Sequence, residues 1–149
     1  MKAFFDSSAL IEFIKGNKKA VALFYELSKM DVESYINDIV FSEFIFHYIS
    51  LTSGTSAINV KKKGKIDTFI KENQPRDFLD QFKILSVNES IVERTYGYMR
   101  RYNLLPNDAL ILATCRFHRI ENLVSFDDDF RAACEKEGIK LIDTIEKLK

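Results

Sequence analysis

Four acidic residues occupy positions from which their side chains could share one metal ion. Asp6 follows a short apolar run near the N-terminus, and Glu43 lies inside a strongly apolar stretch. Asp108 and Asp127 each open a later helical segment. Carboxylates at close range cannot all ionise at low cost, and a divalent cation removes that repulsion. Because oxygen ligands favour Mg²⁺ or Mn²⁺ over Zn²⁺, we expect one or two such ions if these acids converge.

Local sequence patterns place the first acid at the end of a strand and the second inside a helix. Residues 2–5 form an apolar run typical of a fully buried strand, and residues 9–14 read as the helix that follows Asp6. Ligands of open parallel sheets bind at the carboxyl ends of the strands. Glu43 falls in a predicted helix over residues 39–51 that is apolar nearly all round. We therefore expect this helix to be buried, where a carboxylate is costly unless it is paired, hydrogen-bonded or metal-bound.

The remaining segments predict an alternation of strands and helices. Further β-prone runs lie at residues 34–36, 82–87, 123–126 and 140–142. Helical patterns lie between them, including a polar stretch over residues 58–75 and a helix over about residues 89–102. This order predicts an α/β fold, a three-layer α/β/α sandwich with a five-stranded parallel sheet. At 149 residues, without an internal repeat or linker, the chain is expected to form one domain over residues 1–149.

Helix capping is the competing interpretation of the acids. Asp and Asn are favoured at the N-terminal ends of helices, and the chain carries 22 acidic residues. Taken singly, Asp6, Asp108 and Asp127 are explained by capping alone. Glu43 is harder to explain in that way, because it is flanked by apolar residues and has no cationic neighbour one helical turn away.

Composition narrows the class of protein. No apolar run approaches the roughly 20 residues that span a bilayer, and the N-terminus lacks a signal-peptide pattern. We expect a cytoplasmic protein without membrane contact, in which Cys115 and Cys134 are buried, reduced thiols. The formal net charge is zero, so any contact with nucleic acid must be local.

Two local basic clusters are candidates for such a contact. The first is the run formed by Lys61, Lys62, Lys63 and Lys65, for which a solvated helix end or loop is an equally simple interpretation. The second is Arg100-Arg101-Tyr102, where an aromatic ring beside cations could stack on an unpaired base.

Four segments of the chain resemble a known set of motifs. They read FDSSALI from residue 5, SEF from residue 42, NDALILAT from residue 107 and LVSFDDDF from residue 123. In order and spacing they are similar to the four motifs of PIN-domain proteins, and most closely to those of the VapC toxins of VapBC toxin–antitoxin pairs. The resemblance implies a PIN-like, 5′-nuclease-like fold and metal-dependent cleavage inside RNA chains.

The resemblance also implies roles for individual residues. Asp6, Glu43, Asp108 and Asp127 would form the acidic quartet of catalytic and metal-binding residues. Three further residues would support that quartet, namely Ser8, Ser125 and Asn107. The family pattern Asp-x-x-Phe favours Asp127 as the fourth acid, but the neighbouring acids leave this open, and Asp129 could share the role.

Partners and alternatives follow from the same resemblance. A VapC-like toxin would have an RNA substrate, a VapB-like protein antitoxin and a homodimeric state. A catalytically inert PIN-like interaction module, or a PIN nuclease of RNA processing and decay, are the alternatives. A phospho-accepting receiver or a phosphatase is disfavoured, because Ser7-Ser8 stands where those enzymes carry a second acid.

Overall fold

The computed structural model describes all 149 residues and contains one five-stranded sheet. All strands run parallel, in the order β3-β2-β1-β4-β5. The strands are β1 (Lys2–Phe5), β2 (Glu33–Asn37), β3 (Lys83–Leu85), β4 (Asn122–Val124) and β5 (Lys140–Ile142). The predicted α/β class and the strand count are confirmed.

Nine α-helices and a final 3₁₀ turn connect and follow the strands. The helices are α1 (Ser7–Ile14), α2 (Lys18–Ser28), α3 (Asp38–Ser53), α4 (Ala57–Lys62), α5 (Ile66–Phe69), α6 (Arg76–Leu79), α7 (Glu89–Tyr102), α8 (Pro106–Phe117) and α9 (Phe130–Glu137), and the 3₁₀ turn is Ile145–Leu148. None of these helices is both long and apolar enough to cross a membrane.

The two faces of the sheet are covered by different helices. Phe5 points to one face, where its ring lies 5.5 Å from the ring of Phe24 on α2. Asn37 points to the other face, where its amide donates to Thr114 on α8 at 3.0 Å. Strand β1 lies between these layers with Phe4 and Phe5 almost fully buried. Its apolar sequence follows from this position, because a central parallel strand meets no water on either face.

The strand order creates a crevice beside β1. From β1 the chain builds outward through β2 and β3, and then crosses to the opposite side to form β4 and β5. Strands β1 and β4 are therefore neighbours whose following segments depart in different directions. Such a reversal of strand order opens a space at the carboxyl ends, where α/β proteins bind ligands. Asp6 and Ser125 directly follow these two strands.

Most predicted element positions agree with the structure, and the differences have local causes. The helical stretch expected over residues 58–75 is two short helices, interrupted at Gly64, whose φ of 65° ends a helix. The last predicted strand and the helix α7 have the expected bounds. Helix α9 begins at Phe130 and not at Asp127, because the three acids before it form a turn.

Helix α3 departs from prediction in its burial. Val40, Phe44 and Ile49 are buried, but Phe41 is 43% exposed and Phe46 is 49% exposed. The expectation that this helix is buried all round is wrong for the single chain. Only one side of α3 packs against the protein, so its other apolar side chains remain at the surface.

Asn37 combines a helix cap with a bond between layers. It is completely buried, its Oδ1 accepts from the Val40 N–H at 3.0 Å, and its amide donates to Thr114. Asn17 caps α2 in the same way, but at the surface. A buried donor without a partner costs more than a lost surface cap, which returns to water.

We expect Asn37→Ala to lower the free energy of unfolding by about 2–3 kcal/mol, because it removes a cap and leaves the buried Val40 N–H unpaired. The matched variant Asn17→Ala should cost about 1 kcal/mol. Urea titrations of both variants measure the difference. Equal losses would show that the buried asparagine stabilises α3 no more than a surface cap does.

Candidate functional site

Asp6 lies where β1 ends and α1 begins, and only 3% of its surface is exposed. Its Oδ2 atom accepts hydrogen bonds from the hydroxyl of Ser8 at 2.7 Å and from that of Ser125 at 2.9 Å. The Ser8 N–H, 3.4 Å from the same oxygen, makes the capping contact. Asp6 is therefore a helix cap and, at the same time, the point at which the ends of β1 and β4 meet.

The two serines also fix the loop that carries the later acids. Ser8 Oγ accepts from the Phe126 N–H at 3.1 Å, and Ser125 Oγ accepts from the Asp127 N–H at 3.0 Å. Each hydroxyl thus donates to Asp6 and accepts from the backbone after β4. This pairing satisfies both serines and sets the position of the turn that follows Ser125.

Three acids beyond β4 and on α8 come close together. Carboxylate oxygens of Asp108, Asp127 and Asp129 all lie within 4.8 Å of one another. The turn is held by the Asp129 N–H, which donates to Asp127 Oδ1 at 2.9 Å. Asp128 points elsewhere, because it pairs with Arg131 and its side chain is 84% exposed. The structure therefore brings both Asp127 and Asp129 to Asp108 and leaves Asp128 out.

Glu43 reaches the same region from the first turns of α3. Burial, followed by the negative charge of Asp6, raises its pKa, while the side chains of Asn107 and Ser7 act in the opposite direction. Its Oε1 atom is buried and has no hydrogen-bond partner. A buried carboxylate oxygen without a donor is costly, so an additional ligand at this point would stabilise it.

The electrostatics of the cluster are unfavourable without a cation. Burial raises the pKa of Asp6 in spite of the serine hydrogen bonds. Burial, and then the charges of Asp6, Asp127 and Glu43, raise the pKa of Asp108 to about 7. None of the ion pairs in the structure involves an acid of this cluster. The negative charges are therefore close together and uncompensated.

These donors fit a hard divalent cation. The available atoms are all carboxylate oxygens, the ligand type that Mg²⁺ and Mn²⁺ prefer. The unpartnered Oε1 of Glu43 and the crowded carboxylates of Asp108, Asp127 and Asp129 would each gain from such an ion. Asp6 adds its Oδ1 atom, to which the Ser7 hydroxyl donates only a long hydrogen bond of 3.4 Å.

Ser7 is a site residue that the sequence analysis missed. It is buried, its hydroxyl donates to Asp6 Oδ1, and its side chain also lowers the pKa of Glu43. It thereby touches two acids that come from different elements. A hydroxyl directly after the strand-ending acid was the only signal for this role in the sequence.

The predicted basic residues lie on two helices. Lys61 and Lys62 occupy the exposed last turn of α4, and Lys63 and Lys65 flank the following turn. Arg100 and Arg101 occupy the exposed last turn of α7. Arg101 pairs with Glu137 at 3.3 Å, and the hydroxyl of Tyr102 donates to the same carboxylate. The Tyr102 ring is half-buried and packs against the core, with its hydroxyl bound to Glu137.

Comparison with known proteins identifies the family of this chain. The model of the PIN domain matches residues 3–142, which is nearly the entire chain. The chain belongs to the PIN-domain family. This PIN protein is similar to Ribonuclease VapC2 of Methanocaldococcus jannaschii, with 37% identity over 87% of each chain. It is also similar to Ribonuclease VapC6 of the same organism, with 35% identity over 92% of this chain and 95% of that relative.

A solved structure agrees with these relationships. The PIN protein resembles a chain from a toxin–antitoxin complex of Klebsiella pneumoniae with a TM-score of 0.61 and 27% identity. The match covers 86% of this chain and 89% of the other. The family resemblance inferred from the four sequence motifs is thus confirmed.

The raised pKa of Asp108 predicts how stability depends on pH without metal. Its carboxyl ionises near 3.8 in the unfolded chain and at about 7 in the folded protein. The folded state is therefore penalised increasingly as the pH rises from about 4 to 7, and the penalty then levels off. In EDTA we expect Asp108→Asn to unfold with about 1–2 kcal/mol more free energy than wild type at pH 8, a value reduced for the solvent exposure of Asp108.

Urea titrations at pH 5, 6, 7 and 8 measure this difference. The gain from Asp108→Asn should shrink as the pH falls toward 5. Asp128→Asn is the matched control, because this neighbouring acid is exposed and paired with Arg131. A gain that is independent of pH would contradict the proposed origin in charge repulsion.

Proposed function

We propose that this PIN protein is a metal-dependent endoribonuclease of the VapC type, the toxin of a toxin–antitoxin pair. The observation that carries the proposal is the group of carboxylate oxygens of Asp108, Asp127 and Asp129, which lie within 4.8 Å of one another without a compensating cation. Asp6 and Glu43 lie close enough for their charges to raise the pKa of Asp108 further. Two relatives that are 35–37% identical over most of the chain are named ribonucleases. Charge repulsion of this kind has no structural benefit, so a function that requires it is the simplest explanation.

Each acid has a proposed role in the chemistry. One or two bound Mg²⁺ or Mn²⁺ ions would neutralise the phosphoryl oxygens of RNA and lower the pKa of an attacking water. Asp6 and Asp108 would bind metal directly. Glu43 would complete the ligand set or orient the water through its unpartnered Oε1. Asp127, with Asp129 beside it, would hold a second ion.

The supporting residues keep the acids in place before substrate arrives. Ser8 and Ser125 both donate to Oδ2 of Asp6, which leaves Oδ1 as the freer ligand atom. Asn107 and Ser7 lie beside Glu43 and act on its charge. Preorganised ligands of this kind reduce the reorganisation that binding would otherwise require.

A protein antitoxin and a second copy of the chain are the proposed protein partners. The similar Klebsiella structure is a toxin–antitoxin complex, which supports an antitoxin for this chain. Exposed apolar residues on α3, Phe41 and Phe46 among them, support a protein–protein interface. We assign this face of α3 to the homodimer.

Cleavage assays test the proposed chemistry. Wild type should cut transfer RNA or ribosomal RNA fragments in Mg²⁺ or Mn²⁺, and EDTA should abolish the activity. Asp6→Asn and Asp108→Asn should each reduce the rate at least about 100-fold, because each removes a proposed metal ligand. Primer extension on the products locates the cut sites, and calorimetric titration with Mn²⁺ measures binding separately.

The three consecutive acids provide an internal control for the assay. Asp127→Asn and Asp129→Asn should weaken Mn²⁺ binding and cleavage, whereas Asp128→Asn should leave both within about twofold of wild type. Wild-type protein that binds no Mn²⁺ and cuts no RNA would favour the inert interaction module. Cleavage without any cellular toxicity would favour a nuclease of RNA processing.

Size-exclusion chromatography with light scattering tests the dimer. We expect wild type to elute as a dimer and Phe41→Glu to elute as a monomer, because a charge in an apolar interface is not solvated. Tyr25→Glu is the matched control, since Tyr25 is an exposed aromatic residue on α2, away from α3. Wild-type protein that is monomeric at micromolar concentration would overturn the assignment of the α3 face.

A further inference from the structure

The outer face of α7 carries a basic trough that the acidic site does not explain. Two adjacent rows of residues run along this helix at the spacings that share a face. One row contains Glu93, Tyr96 and Arg100, and the other contains Arg94, Gly97 and Arg101. The trough between them has a volume of about 550 Å³ and is open to solvent.

Gly97 forms the floor of the trough at a position where glycine is a poor choice. It lies within a regular helix at a negative φ, so no unusual backbone conformation requires it. An added Cβ would meet only the flexible Arg101 Nη2 atom, at 3.6 Å. Alanine would therefore fit, and it favours helix formation more than glycine does. Because Gly97 has no side chain, a ligand in the trough can come close to the helix backbone.

Two of the arginines are already oriented around this floor. Arg101 is held through Nη1 by Glu137 at 3.3 Å, and its guanidinium carbon lies 5.6 Å from the ring of Tyr102. Its Nη2 atom thus stands over Gly97. The guanidinium of Arg94 lies 6.0 Å from the ring of Phe117. Guanidinium groups that are fixed against aromatic rings lose less entropy when they bind an anion.

The positive charge in the trough is only partly compensated by nearby acids. Neither Arg94 nor Arg100 takes part in any ion pair. Glu137 is shared between Arg101 and Arg116, so its single negative charge does not neutralise the positive charge of the trough. Two unpaired arginines, together with Arg101, whose charge Glu137 partly neutralises, therefore stand against one lining acid, Glu93. In a chain of zero net charge, this is a local match for a polyanion.

We propose that the α7 trough binds an unpaired segment of RNA, with phosphates on Arg94, Arg100 and Arg101 and a base stacked on Tyr96. Tyr96 is 54% exposed, and a bare ring beside cations is the usual platform for an unpaired base. The inference rests on the proposed ribonuclease function, because it assigns a second contact of the same substrate. It concerns binding, however, and can be tested without cleavage.

The position of α7 in the chain is consistent with one RNA strand reaching both places. Only residues 103–105 separate α7 from α8, whose first turn carries Asp108. Arg101 and Asp108 are seven positions apart in the sequence, so their Cα atoms lie at most about 25 Å apart. A strand of several nucleotides spans that distance.

Fluorescence anisotropy with a labelled 12-nucleotide single-stranded RNA, in EDTA to prevent cleavage, tests the trough. The double variant Arg94→Gln/Arg100→Gln should bind about tenfold more weakly than wild type. The slope of log affinity against log salt should fall in magnitude by about 1.4, the value for two lost phosphate contacts on a single strand. The control Lys18→Gln/Lys19→Gln removes the same charge from α2 and should retain the wild-type slope.

Gly97 supplies an independent readout. Gly97→Ala should raise the melting temperature by about 4 °C, because alanine stabilises a helix interior. Gly97→Leu should fill the trough and weaken RNA binding about tenfold in protein that remains folded by circular dichroism. A 12-base-pair RNA duplex should bind wild type less tightly than the single strand, because its bases are not free to stack on Tyr96.

The outcomes separate this inference from the nuclease proposal. Equal affinities and salt slopes for the two double variants would overturn the trough, even if cleavage in Mg²⁺ is normal. Loss of dimerisation in Gly97→Leu with unchanged RNA affinity would also overturn it, since a second copy of the chain would then occupy the trough. Arginine-dependent RNA binding in a protein that cuts no RNA would support the trough and contradict only the nuclease.

Discussion

The hydrogen bonds from Ser8 and Ser125 to Asp6 are the interaction on which the rest of the site depends. They join residues that are up to 119 positions apart and connect the ends of β1 and β4, the two strands between which the sheet reverses its order. Both hydroxyls also accept from the backbone after β4, so the acids that follow are positioned by the same contacts. A buried carboxylate at this point thus joins the ends of β1 and β4 and is also the first of the proposed metal ligands.

Holding that carboxylate beside other acids requires a rigid framework. Helix α8, which carries Asp108, is buried along its middle, residues 109–115, where it packs against α7. On the other face, the ring of Phe78 on α6 stacks on that of Phe13 on α1 and makes a tilted contact with that of Phe44 on α3. Repulsion among the carboxylates favours moving them apart, and these packed layers prevent that movement. The stability of the core thereby maintains an arrangement that is locally unfavourable.

Sequence patterns predicted the features that depend on neighbours along the chain. The strand before Asp6, the helix that starts near Asp108 and the number of strands all follow from local hydrophobicity and capping. Features that depend on distant partners were not predictable. Equal apolar patterns gave a buried α8 and a half-exposed α3, because only α8 is covered on both sides. The choice between Asp128 and Asp129 depended on Arg131, and the roles of Ser7 and Gly97 required knowledge of what lies opposite each of them.

The packing of α7 on α8 fixes the distance between the two proposed RNA contacts. A substrate bound at two places is positioned for reaction only if the distance between those places is fixed. Helices α7 and α8 are joined by a short connection and pack closely against each other, so Arg101 and Asp108 belong to one rigid unit. Acids alone would repel an RNA backbone from the crevice in the absence of metal. Arginines on the same unit provide the opposite charge. In this proposal α7 attracts the RNA, and α8 carries an acid of the cleavage site.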